Sequence, residues 1–140
     1  MNMLGQVLLG LLMTAFTVIL GALTIAGAAE PLRRNRRRLV EEAGFLSHLI
    51  ALTLIALWLV VGIMLAVTGW AVLFLGLDVF SDFPTSLYFA MISFTTVGYG
   101  DVVPPAEWRI LAAFVSVDGF LLFGLNTAFV FEVLRRMRDR

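Results

Sequence analysis

The chain has 140 residues, 61% of them hydrophobic, and a mean hydropathy of +0.98, whereas a soluble domain is only about 45–50% apolar. The absence of cysteine excludes disulfides and thiolate metal sites, and a single histidine, His48, excludes a multi-histidine site within one chain. Ten arginines balance ten acids, so the net charge says little and the placement of charge says much.

Met1–Ala29 carries no charged side chain and is long enough to span a bilayer, which takes about 20 apolar residues. It ends in Ala26-Gly27-Ala28-Ala29, which resembles a signal-peptidase site. Against cleavage, no Lys or Arg precedes the apolar run, and cutting would leave five arginines at an outer N-terminus. A transmembrane helix is therefore expected. Glu30–Gly44 follows as an arginine-rich linker with Arg33, Arg34, Arg36, Arg37 and Arg38. Phe45–Leu77 is a second span, titratable only at His48. Phe83–Phe94 is apolar but only 12 residues long. At 1.5 Å per residue it reaches about 18 Å and cannot cross a core of about 30 Å, so it reads as a re-entrant helix. Asp82 is positioned to cap it, with Pro84 in its first turn, where a missing N–H costs nothing. Ile110–Phe131 is a third span interrupted by one charge, Asp118, and Arg135, Arg136, Arg138 and Arg140 follow it.

The positive-inside rule puts both arginine clusters in the cytoplasm, and three spans then require an outer N-terminus. The opposite face carries Asp78, Asp82, Asp101 and Glu107 against one base, Arg109. The reading is an all-α membrane protein with three transmembrane helices, a re-entrant helix and a loop.

That loop is Thr95-Thr96-Val97-Gly98-Tyr99-Gly100-Asp101. Irregular backbone at membrane depth is tolerated only where protein buries it or it lines water, so the strip must face a cavity. The carbonyl end of the short helix points there and favours a cation. A dehydrated cation needs oxygens in place of water. Successive backbone carbonyls can supply them if alternating Gly98 and Gly100 relieve dihedrals that are awkward for L-residues. The Thr96 hydroxyl adds an oxygen at the inner end, while Val97 and Tyr99 point outward as braces. One strip offers one oxygen per level, so several copies must surround an axis.

Leu87–Asp101 resembles the pore helix and signature of potassium channels, whose filter loops carry Thr-Val-Gly-Tyr-Gly. Pro104 and Trp108 resemble the exit into the inner helix. The spacing of Gly119 and Gly124 is similar to the hinge of simple two-helix bacterial potassium channels. The resemblance covers about residues 45–140, leaving 1–29 as an added N-terminal helix and 30–44 as a cytoplasmic linker. Within 45–140 it implies an outer helix at 45–77, a pore helix at 83–94, a filter at 95–101 and an inner helix at 107–134. It further implies a homotetramer with an axial pore that conducts K+ passively. Thr96, Val97, Gly98 and Tyr99 would be K+ ligands, and Thr95, Gly100 and Asp101 their support. No organic cofactor is implied. The implied location is the cell membrane, of the bacterial inner-membrane kind, as a multi-pass protein. Partners are other copies of the chain and membrane lipid, anionic lipid included, rather than nucleic acid. A weakly selective cation channel and a non-conducting accessory subunit are the alternative functions.

Two departures bear on the filter. The family often holds the filter tyrosine and aspartate with aromatic donors. Tyr88 and Phe89 stand at those positions, and Phe89 can donate nothing. Ile92 replaces an acid found in some bacterial members. Asp101 is therefore expected to be loosely held. On the inner helix, the resemblance assigns Phe120, Phe123, Thr127 and Phe131 to the cavity and gate, at spacings of 3, 4 and 4. Asp118 is costly at that depth and is a candidate sensor. It precedes Thr127 by nine residues, about 180° around a helix, so if Thr127 faces the pore, Asp118 points toward the second span. Trp58, at a matching depth, is the expected partner. The alternative is a pore-facing acid that attracts internal cations, as in inward-rectifier potassium channels.

Overall fold

The computed structural model describes residues 2–34 and 44–138. Four helices occur in the order α1 (Met3–Arg34), α2 (Phe45–Gly76), α3 (Phe83–Phe94) and α4 (Arg109–Arg138), with a 3₁₀ turn at Ala106–Trp108 before α4. There is no strand among the described residues. Three of the helices, α1, α2 and α4, are long and apolar enough to cross a membrane. The protein is thus an all-helical, multi-pass membrane protein. α1 continues through Pro31 to Arg34 instead of stopping at Ala29, and α4 reaches Arg138 instead of residue 134. Both extensions run into arginine-bearing turns. Arg36, Arg37, Arg38 and Arg140 lie outside the described residues.

Local chemistry sets the ends of the short helix. Asp78 takes a left-handed φ of 53°, which lets the Val79 N–H reach back to the Phe74 carbonyl at 3.0 Å and closes α2. Asp82 then caps α3, accepting from the Thr85 N–H at 2.9 Å and the Thr85 hydroxyl at 2.8 Å. The Thr85 N–H in particular holds the Asp82 carboxyl below its ordinary value. Trp70, Phe74, Phe89, Phe94, Leu111 and Val115 form the core where α2, α3 and α4 meet. Phe89 lies 5.5 Å from Phe74 and 5.0 Å from Phe80 between ring centroids. It is packed into this core.

α1 lies against α4 and α2 of the same chain. Contacts pair Gln6 with Leu111, Gly10 with Phe114 and Thr14 with Asp118, so α1 and α4 run parallel. Phe16 meets Gly69, Thr24 meets Gly62, and Gly27 meets Trp58, so α1 and α2 run antiparallel. The buried face of α1 is Gln6, Gly10, Thr17, Gly21, Thr24 and Ala28, a stripe of small and polar residues. Helices in lipid associate through such stripes because close backbone approach and hydrogen bonds replace the missing hydrophobic drive. At the far end, Ile25 of α1, Ile55 and Leu59 of α2 and Val133 of α4 form a second cluster. The arginine-bearing ends of α1 and α4 therefore lie together, opposite the Thr95–Asp101 loop.

Candidate functional site

The site begins where α3 ends. The last carbonyls of a helix have no partner within it and need donors from elsewhere. The loop supplies them: Thr95 N–H donates to Met91 at 3.0 Å, Thr96 N–H to Ser93 at 3.0 Å, and Gly98 N–H to Ile92 at 3.1 Å. The Ser116 hydroxyl of α4 adds a bond to the Ser93 carbonyl at 2.9 Å. These amides are turned back onto α3, and among the described residues no backbone amide donates to the carbonyls of residues 95–100.

The backbone of the loop alternates. Thr96, Gly98 and Gly100 have φ of 60°, 51° and 80°, all left-handed, with ordinary residues between them. The glycines accept this at little cost, but Thr96 is β-branched, and a positive φ there is an outlier held in place by its surroundings. Sequence reasoning marked the glycines and missed Thr96, because nothing in its side chain signals a left-handed backbone. All residues from Thr95 to Gly100 are exposed in the single chain, Tyr99 at 74% and Val97 at 52%. Among the described residues, nothing buries these two side chains.

Asp101 is better tied than the sequence suggested. The Tyr88 hydroxyl donates to its Oδ2 at 2.7 Å, and this bond holds the Asp101 carboxyl below its ordinary value. Behind the loop, α4 touches the foot of α3 directly. A side chain at Gly119 would put its Cβ 2.7 Å from the carbonyl carbon of Phe94 and closer still to the oxygen. Among the described residues, nothing outside the helix's own backbone lies within 4 Å of the same position at Gly124.

On α4, Phe120 and Phe131 are 77% and 69% exposed and share an open face with Thr127. Phe123 turns away, its ring 6.0 Å from Phe94 at 75°. Phe123, Thr127 and Phe131 nonetheless line one apolar cavity of about 370 Å³ with Leu59 and Ile63 of α2.

Asp118 is fully buried. It faces α1 and α2, away from the open face of Phe120 and Phe131. The expected partner was wrong: Trp58 gives its indole N–H to the Thr24 carbonyl at 2.8 Å. Trp70 Nε1 donates to Asp118 Oδ2 at 2.9 Å, and Thr14 Oγ1 donates to Oδ1 at 2.6 Å. The few polar residues of an otherwise apolar first span, Gln6, Thr14, Thr17 and Thr24, were the available signal. Among the described residues, no three His, Cys, Asp or Glu side chains cluster to hold a metal.

A short apolar helix and the loop that follows it, set between two helices long enough to cross a membrane, are the arrangement of a pore module. A sequence model of the ion channel family matches residues 52–136, and the chain belongs to that family. The family points to a pore rather than an enzyme. Similar proteins include the calcium-gated potassium channel TvoK of Thermoplasma volcanium, 42% identical over 55 residues, 39% of this chain and 16% of that protein. The voltage-gated potassium channel regulatory subunit KCNG2 of Gallus gallus is 38% identical over 58 residues, 41% of this chain and 11% of that protein. TWiK family of potassium channels protein 18 of Caenorhabditis elegans is 51% identical over 47 residues, 31% of this chain and 10% of that protein. The chain thus spans under a fifth of the length of each of these relatives. No solved structure matches the chain.

Proposed function

We propose that the chain assembles as a homotetramer and conducts K+ selectively and passively through an axial filter. The carrying observation is the left-handed alternation at Thr96, Gly98 and Gly100, combined with amides of Thr95, Thr96 and Gly98 bonded back to α3. That pattern leaves successive carbonyls free on one side, as replacement of a K+ hydration shell requires. Thr96, Val97, Gly98 and Tyr99 are the ligands, and Thr95, Gly100 and Asp101 support them. Exposure of Val97 and Tyr99 in the lone chain supports assembly, because neighbouring copies would cover them.

Phe120, Thr127 and Phe131 face the inner cavity, with Phe123 at its wall and Phe131 as the constriction. Gly124, which has open space around it, is where α4 bends; Gly119 instead sets how closely α4 approaches the filter. The protein sits in a cell membrane with the filter and the start of α1 outside. Arg34, Arg135, Arg136 and Arg138 are then inside, near anionic lipid headgroups.

Purified protein in liposomes tests this. Cross-linked tetramers should pass K+ far faster than Na+, with the reversal potential in mixed salts following K+. Verified tetramers without any K+ flux would overturn the proposal and favour an accessory role. The second reading has its own motive: one relative is named a regulatory subunit, and α1 is an addition to the two-helix pattern. A reversal potential indifferent to the exchange of Na+ for K+ would instead indicate a weakly selective channel.

A further inference from the structure

We propose that Asp118 is a positioning residue, and that its bond to Thr14 makes α1 a brace holding the inner helix against the foot of the filter. The inference rests on the conduction proposed above.

One carboxylate joins three helices. Thr14 of α1 donates to one oxygen at 2.6 Å and Trp70 of α2 to the other at 2.9 Å, while Asp118 itself belongs to α4. The group is fully buried, so a lost donor leaves a buried oxygen short of a partner. The same turn of α4 carries the filter contacts. Ser116 bonds to the Ser93 carbonyl at 2.9 Å, and Gly119 rests on Phe94. Residues 116 and 119 share one side of the helix, and 118 lies about 100° from 119. The turn is therefore gripped between α3 on one side and α1 with α2 on another. One step further, Ile92 and Ser93 are the carbonyls that anchor the Gly98 and Thr96 amides.

Two more polar ties fasten α1 along its length. Gln6 Oε1 accepts from the Leu111 N–H at 3.2 Å, satisfying a donor at the start of α4 that has no partner within the helix. The Thr24 carbonyl accepts from Trp58 at 2.8 Å. A span serving only as an anchor needs none of these bonds. Contacts at three depths, the middle one a single residue from the filter foot, make α1 part of the pore's foundation.

The test uses the full-length tetramer in planar bilayers. Thr14→Val keeps the side-chain volume and removes one hydroxyl. It should shorten open bursts at least threefold, and Asp118→Asn should shift them in the same direction. Thr14→Ser should restore wild-type bursts. Thr53→Val, which removes a hydroxyl bonded to the Leu49 carbonyl on the exposed side of α2, should change nothing. Assembled Thr14→Val tetramers with wild-type burst lengths overturn the brace, as does an equal effect from Thr53→Val. If Asp118→Asn does not assemble, Thr14→Val decides alone. Wild-type tetramers that fail to conduct defeat the conduction reading. The brace is then read by hydrogen exchange at the Gly98 amide, which should be at least threefold faster in Thr14→Val. Unchanged exchange there overturns it.

Discussion

Replacing Gly119 with alanine should push the inner helix off the filter's support. The new Cβ would lie 2.7 Å from the carbonyl carbon of Phe94 and nearer to its oxygen. Carbon–carbon contacts relax at about 3.5–4.0 Å, so α4 must retreat by at least about 1 Å at this point. The obstacle is the backbone at the end of α3, held by the Ser93 and Ile92 hydrogen bonds, and it cannot rotate aside as a side chain would. Overpacking of this kind costs about 1–3 kcal/mol. Alanine's helix preference, about 1 kcal/mol, offsets only part of it. Gly124→Ala meets no atom within 4 Å and should retain that preference in full. The two variants should differ by about 1–3 kcal/mol in thermal melting of the detergent-solubilised tetramer, with Gly119→Ala the weaker and its K+ flux reduced. A Gly119→Ala tetramer with wild-type melting and flux would refute close contact between α4 and Phe94.

Gly98→Ala strains the loop backbone, because φ there is 51° and the new side chain meets nothing of its own chain within 4 Å. A left-handed L-residue costs about 1–2 kcal/mol per chain, so K+ over Na+ preference in liposome flux should fall sharply without loss of helical circular dichroism. Gln6→Met leaves the buried Leu111 N–H without its acceptor and should lower tetramer stability by about 1–3 kcal/mol, read by melting. Tyr88→Phe removes the donor that keeps the Asp101 carboxyl below its ordinary 3.8. A depressed carboxylate contributes stability that is present above its unfolded pKa and lost as pH falls through the folded one. Wild-type filters should therefore keep conducting as external pH drops through 3.8, and Tyr88→Phe filters should fail at a higher pH; superimposable acid profiles would remove Tyr88 from the site.

Much of the architecture was legible because it is written in local properties. Span length and hydropathy mark α1, α2 and α4, and the shortness of Phe83–Phe94 forbids it to cross. Asp82 and Pro84 carry their capping chemistry in themselves. The glycines of the loop announced an unusual backbone, although the left-handed turn at Thr96 came from the amide bonds that pull the strip onto α3. The place of Phe89 in the core was not legible for a related reason. An aromatic side chain behind a loop can brace it or fill a core, and only the approach of Phe74 and Phe80 decides which.

The packing of α1 and the partners of Asp118 belong to the tertiary structure alone. Matching depths along straight spans pointed to Trp58, but the register of α2 against α4 brings Trp70 to the carboxylate, and α1 adds Thr14, which no pattern in the pore region could suggest. Hydropathy tells a helix that it belongs in lipid without telling it which neighbour to choose, because lipid tails are as apolar as leucine. That choice fell to a stripe of glycines and threonines and to a few hydrogen bonds at depth. Those interactions depend on where three helices come to rest, and the order of residues along any one of them does not specify that.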